Sequence, residues 1–238
     1  MTIAGKTLLV TGANRGIGQA LVQEALRRDA GLVYAATRQP PTECDARVVP
    51  LRVDVTDPAQ IRVAAEQVAQ LDILINNAGV GLYDDLSDQT ALETHLSVNL
   101  FGTFAVTQAF LPRLIESRGA IVNVLSIAAV AALPFIPAYS ISKAAAFALT
   151  QSHRALLAKH DVKVHAVLAG PVDTDMSRDL HVPKVSAAHV ANEIFDGVGA
   201  GDDDIFPDPM LQPLAEEWRT GQIKALERQY ASVVAWVN

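Results

Sequence analysis

The stretch VTGANRGIG, Val10 to Gly18, sets three glycines and an arginine between an apolar run and a helical pattern. Val10 closes a predicted first strand and Ile17 opens a predicted first helix, so Gly12, Gly16 and Gly18 fall in the turn between them. Glycines there permit positive φ and remove the side chains that would keep a ligand from the backbone. The free N–H groups and positive end of the following helix can then hold a diphosphate. A tight strand-to-helix turn without a ligand has the same local pattern, so the rest of the chain must decide.

Working outward, apolar runs at Thr7–Val10, Leu32–Ala36, Val48–Val53, Ile73–Ile75, Ala120–Leu125 and Val162–Val167, with a weaker one at Asp204–Phe206, read as strands. Helical patterns lie between them: Ile17–Arg28, Pro58–Gln70, about Leu86–Ser117, Tyr139–Lys159, Ala187–Asp196 and a final amphipathic stretch, Pro213–Val237. Gly197–Asp204 reads as a turn. Runs that are apolar throughout, rather than alternating, imply strands buried on both faces of a parallel sheet. The expected fold class is α/β: a single doubly wound (Rossmann) domain over residues 1–238, with a mostly parallel seven-stranded sheet and helices on both faces. Its cofactor half would span about 1–125 and its catalytic and substrate half about 126–238.

Composition narrows the classes. The 238 residues are 50% hydrophobic and 19% charged, which suits a compact core. A net charge of −7 gives no field to gather nucleic acid or anionic lipid. Cys44 is the only cysteine, read as a loop or surface thiol, and the six histidines are too scattered to suggest a metal cluster. The longest apolar stretch, Ile127–Ala138, is interrupted by Pro134 and Pro137 and is shorter than the about 20 residues a membrane span needs. Met1–Gly12 reads as a start followed by a strand, without a secretion signal. A cytoplasmic protein with no nucleic-acid or membrane partner is the expectation.

The spacing Thr11, Gly12, three residues, Gly16, one residue, Gly18 resembles the TGxxxGxG of the classical short-chain dehydrogenase/reductase family. Further matches follow in order. Asp54 and Val55 come after the third strand, where the family keeps an aspartate near the adenine. Asn76, Asn77, Ala78 and Gly79 reproduce NNAG after the fourth. Asn99 in SVNLFG matches the asparagine of the long central helix. Ser126 ends the fifth strand, and Tyr139 and Lys143 in YSISK reproduce YxxxK. AGPVDT, Ala169–Thr174, follows the sixth strand, with Ala169 where the family usually has proline and proline at 171 instead. Except for Asn99 and the Tyr139 helix, these elements fall at the C-terminal ends of predicted strands, where open parallel sheets bind ligands.

Tyr139 and Lys143, four apart on a predicted helix, share one face. A cation beside a phenol favours the phenolate, so Lys143 is expected to lower the Tyr139 pKa toward neutrality. The resemblance implies Tyr139 as general acid in reduction and base in oxidation, with Ser126 on the substrate oxygen. It further implies Lys143 on the nicotinamide ribose and Asn99 holding a water that links Lys143 to solvent. The hydride must come from a cofactor. For it the resemblance implies contacts from Gly12, Asn14, Arg15, Gly16, Ile17 and Gly18, from Thr37, Arg38, Asp54 and Val55, from Asn77, Ala78 and Gly79, and from Gly170, Pro171, Val172 and Thr174, alongside Tyr139 and Lys143. Val172 backbone and the Thr174 hydroxyl would fix the carboxamide.

At the end of the second strand the chain reads YAATRQPP, with Thr37 and Arg38 and no acidic residue. A carboxylate there would accept the ribose hydroxyls of NAD, whereas a guanidinium pairs with a 2′-phosphate. Arg38, with Arg15 approaching from the other side, favours NADP(H) over NAD(H). The apolar segments IAAVAALPFIPA and GVGLY and residues Met176–Pro183 would line the substrate site, suggesting a small hydrophobic ketone, aldehyde or secondary alcohol. The resemblance also implies a homodimer or homotetramer, through the central helix and the Tyr139 helix. Two other readings are a catalytically silent cofactor sensor, which has no need of Tyr139, and an epimerase or dehydratase of the extended relatives, disfavoured by the glycine spacing.

Overall fold

In a computed structural model that describes residues 1–40 and 45–233, nine strands and eight α-helices alternate along the chain. The strands are β1 Thr7–Thr11, β2 Leu32–Thr37, β3 Val48–Arg52, β4 Ile73–Asn76, β5 Ala120–Val124, β6 Lys163–Val167, β7 Val172–Asp173, β8 Val185–Ser186 and β9 Asp204–Ile205. The helices are α1 Gly16–Arg27, α2 Pro58–Gln67, α3 Gln89–Leu96, α4 Thr103–Ser117, α5 Pro137–Leu157, α6 Ala187–Ala200, α7 Gln212–Thr220 and α8 Gln222–Val233. Seven strands form one sheet in the order β3-β2-β1-β4-β5-β6-β9, every pair parallel. β7 and β8 form a small parallel pair of their own.

The strands of the sheet are largely apolar because alternate residues feed opposite layers. Leu8, Val10, Ile73 and Ile75 pack with α1 and α6 on one face; Leu9, Leu74 and Ile121 pack with α2 and α4 on the other. A third cluster joins Ala146 and Phe147 of α5 to Leu168, Phe206 and Ala215. Strand order reverses between β1 and β4, so the turns leaving those two strands part to opposite faces. A crevice opens there, beyond the carboxyl ends of the strands.

Four expectations shift. The stretch expected as one helix over Leu86–Ser117 starts at Gln89, capped by the Asp88 carboxylate, and carries a π-helical segment at Ser97–Gly102 between α3 and α4. α6 runs on to Ala200 through Gly197, which is there for close packing: a Cβ would lie 2.6 Å from Ile205. The expected final helix, Pro213–Val237, is two helices broken at Gly221, where a Cβ would meet the Glu217 carbonyl at 2.7 Å. α8 docks through charge: Lys224 and Arg154 both reach the buried Asp204 and Glu227. The pairing of β7 with β8 has no counterpart in the apolar pattern. Cys44 and the end of the expected final helix lie outside the described residues.

Candidate active site

A groove of about 770 Å³ lies at the β1/β4 switch point. Its floor is the glycine turn. Gly12 and Gly16 take φ of +66° and +53°, the left-handed region that suits glycine. Gly18 has another reason: a Cβ there would lie 2.1 Å from the Gly12 carbonyl oxygen, so α1 packs against the turn only as glycine. Arg15 precedes α1 in extended conformation and its side chain caps nothing. Gly16 and Ile17 line the groove, so the uncapped amides of the first turn are available to an anion. From β4, Asn77 locks the turn by donating its Nδ2 to the Thr11 carbonyl at 2.9 Å, while the Asn77 and Ala78 amides donate to the Thr11 hydroxyl at 3.0 Å.

At the other end the groove is lined by Thr37, Arg38, Asp54 and Val55, with Asn14 and Arg15 across from them. The Thr37 hydroxyl accepts from the Gln39 amide, and the Asp54 carboxylate from the Thr56 amide and hydroxyl. Arg38 is exposed and, among the described residues, has no hydrogen-bond or ion-pair partner. Arg52, which no sequence motif marks, lines the same end; its register neighbour in the sheet is Thr37. Arg15 instead reaches across the groove, its Nη1 lying 3.4 Å from Asp175.

Tyr139 and Lys143, on the first two turns of α5, line the groove with Ala78 and Gly79. Lys143 is 5% exposed, donates to the Val124 carbonyl at 2.9 Å and sits 5.7 Å from the centre of the Tyr139 ring. Burial pulls its pKa down to about 8. The expected lowering of the Tyr139 pKa is not what this geometry gives. Burial of the phenol raises it, with the Ser126 hydroxyl drawing it the other way, because the ammonium is turned to Val124 and is itself desolvated. Ser126 caps a short 3-10 turn by accepting from the Ala128 amide at 3.1 Å.

Asn99 sits in the π-helical segment, buried behind the groove wall. Its side chain clamps Val80, accepting from the Val80 amide and donating to the Val80 carbonyl, each at 2.9 Å, and it also donates to Ser142. Asn99 thus shapes the wall through Val80. Thr174 lines the groove against Gly16, but Gly18, Gly170, Pro171 and Val172 do not line it. Gly170 packs on Asp208, where a Cβ would meet the carboxylate at 2.3 Å, while Pro171 and Val172 turn toward Val185 of β8. Met176, expected to line the substrate site, lies on the wall, and Asp175 lies there in addition to the residues expected. Asp175 directly follows Thr174, the signal that could have found it.

A sequence model of the short chain dehydrogenase family matches residues 6–184. The chain belongs to the short-chain dehydrogenases. Among relatives of this family, it is 33% identical over 195 residues to an oxidoreductase, UcpA, of Escherichia coli K12, covering 75% of this chain and 73% of that protein. It is 34% identical over 201 residues to the 3-oxoacyl-[acyl-carrier-protein] reductase FabG of Thermotoga maritima, covering 76% and 79%. A short chain dehydrogenase from Burkholderia cenocepacia, solved in complex with NADP, superimposes with a TM-score of 0.88 at 38% identity, over 96% of this chain and 98% of that one. This short-chain dehydrogenase is an oxidoreductase with a Rossmann-type fold, and among its described residues no helix is long and apolar enough to cross a membrane.

Proposed function

We propose that this oxidoreductase is an NADPH-dependent carbonyl reductase, running in reverse as an alcohol dehydrogenase, on small hydrophobic ketones, aldehydes or secondary alcohols. The observation that carries the reading is a single groove with a phenol and a buried lysine at one end and, at the other, two guanidiniums, Arg38 and Arg52, that have no partner among the described residues. NADPH, when bound, supplies the hydride that reduces the carbonyl carbon. Tyr139 delivers the proton to the carbonyl oxygen and takes it back in oxidation. Burial favours its neutral form, which is the form an acid needs. Ser126 donates to the same oxygen as charge develops, and Lys143 supports the phenolate left behind and holds the ribose hydroxyls.

For the cofactor, the free amides at Gly16 and Ile17 suit the diphosphate, and Arg38 with Arg52 suits the 2′-phosphate. The Burkholderia relative solved with NADP supports that choice. Leu82, Tyr83, Phe135 and Met176, all exposed on segments bordering the site, favour an apolar substrate. A homodimer or homotetramer is part of the proposal, with Phe101 and Phe104 near the start of α4 and Ile141 on α5 as exposed apolar contacts. The test is absorbance at 340 nm with NADPH and a panel of carbonyl compounds, with Tyr139→Phe as control. Loss of general acid catalysis predicts a fall of roughly 10²-fold or more; turnover untouched by the substitution would sink the mechanism.

A further inference from the structure

After β4 the chain runs past the catalytic end of the groove, and alternate residues of it are tied down. The Ala78 amide donates to Thr11 at 3.0 Å. Val80 is clamped by Asn99. The Leu82 amide donates to His95 Nε2 at 3.0 Å. The Asp84 carboxylate accepts from the Ala138 amide at 3.3 Å, in the first turn of α5. Between the anchors stand Gly79 and Gly81, and these face the chemistry. A Cβ on Gly79 would lie 3.6 Å from Lys143 Nζ, and one on Gly81 would lie 3.4 Å from the Tyr139 ring and 3.2 Å from Met176 sulfur. The two-residue alternation is that of extended chain: one side is anchored, the other offers bare backbone to Tyr139 and Lys143.

His95 supplies the one anchor that also touches the proposed acid. It is fully buried on α3. Its Nδ1 lies 2.7 Å from the Ala91 carbonyl, which can only accept, and its Nε2 faces the Leu82 N–H, which can only donate. Together these partners require a neutral ring with its proton on Nδ1. The ring meets Tyr139 edge-on, centroids 6.2 Å apart at 74°.

We infer that His95 is a positioning residue for the reductase reaction: through Leu82 and the Tyr139 ring it fixes the gap between Gly81 and Tyr139 beside which the substrate carbonyl is held. The inference rests on the reductase reading proposed above. Three substitutions separate its parts. In His95→Gln the side-chain oxygen reaches where Nε2 stands and still accepts from Leu82. In His95→Asn the shorter amide reaches only Ala91. His95→Phe keeps a ring against Tyr139 and loses both hydrogen bonds.

Hydrogen–deuterium exchange of the peptide containing Leu82, in the presence of NADPH, is expected to stay slow in His95→Gln and to speed up in His95→Asn and His95→Phe. In parallel, kcat/KM for a carbonyl substrate should fall about tenfold in His95→Asn and His95→Phe, the scale of one lost hydrogen bond. It should stay within threefold of wild type in His95→Gln, with the NADPH Kd, read by its fluorescence, within twofold in all three. Unchanged exchange in His95→Phe overturns the inference, as does wild-type kcat/KM in that variant or a Gln variant no better than Asn. A wild type that reduces no carbonyl, with the exchange pattern as expected, refutes the reductase reading and leaves the anchor supported.

Discussion

Lys143→Met should make the protein more stable while removing its activity, and the gain should depend on pH. Lys143 is 5% exposed and its pKa falls from 10.5 to about 8, with burial as the cause. At about 1.4 kcal/mol per pH unit, holding the charged form in place costs about 3 kcal/mol at pH 7. The bond to the Val124 carbonyl is lost in the variant and offsets about 1 kcal/mol of that gain. Methionine fills similar volume without a charge, so a net gain of about 2 kcal/mol is expected, or roughly 4–8 °C in Tm for a chain of this size. The sign follows from the proton count. Between pH 8 and 10.5 the unfolded chain keeps a proton that the folded one has released, so wild-type stability rises with pH through that window relative to the variant. Urea unfolding of both proteins without cofactor, at pH 7 and near pH 10, measures the difference. A variant less stable at pH 7, or an advantage that does not shrink as pH rises, would refute the reasoning.

Arg38→Asp should lower the NADPH/NADH ratio of kcat/KM by tenfold or more, since a cation facing a phosphate becomes a repelling carboxylate; an unchanged ratio removes Arg38 from the phosphate site. Asp175→Asn should tighten NADPH binding up to about fivefold, the ceiling for an exposed pair, because Asp175 competes for Arg15 across the groove. Fluorescence titration checks it, and equal tightening of NADH counts against it. Asp204→Asn should destabilise by about 3 kcal/mol by leaving the buried Arg154 and Lys224 short of charge. Burial pushes the Asp204 carboxyl up, but Arg154 and Lys224 outweigh it and hold the pKa below its usual value. The wild type should therefore lose stability faster than the variant as pH falls below about 4, which chemical unfolding at pH 6 and pH 3.5 would reveal.

The sheet was legible because burial on both faces writes itself into sequence as unbroken apolar runs, and all seven strands came within a residue or two of their places. What it did not write is backbone detail set by tertiary contact. Gly197 looks like a turn residue but sits mid-helix because Ile205 fills the space beside it, and Gly221 looks unremarkable but ends α7. The π-helical segment keeps helical periodicity closely enough to pass for helix. At the site, the glycine turn, Thr37, Arg38, Asp54, Asn77, Tyr139, Lys143 and Thr174 line one groove, whereas Gly18, Asn99, Ser126, Gly170, Pro171 and Val172 do not, and side-chain direction was beyond motif reading. Asn99 turns to Val80, and Lys143 to Val124 rather than to the phenol. Arg52 needed the fold to bring it to the groove.

The two ends of the groove are built by different means, and this bears on what each can change. Around Tyr139 the geometry is held by hydrogen bonds from buried side chains: Asn99 to Val80, His95 to Leu82, Lys143 to Val124. Altering Asn99 or His95 removes the anchor that fixes the chain beside Tyr139. The opposite end is lined by exposed side chains, Arg15, Arg38 and Arg52, which among the described residues are held by one long ion pair or by none. Exposed charges are cheap to exchange and act through the field they set. On the proposed reading, cofactor preference should therefore shift by substitution at Arg38 or Arg52 without disturbing the Tyr139 end, whereas a change at His95 or Asn99 should propagate to Tyr139.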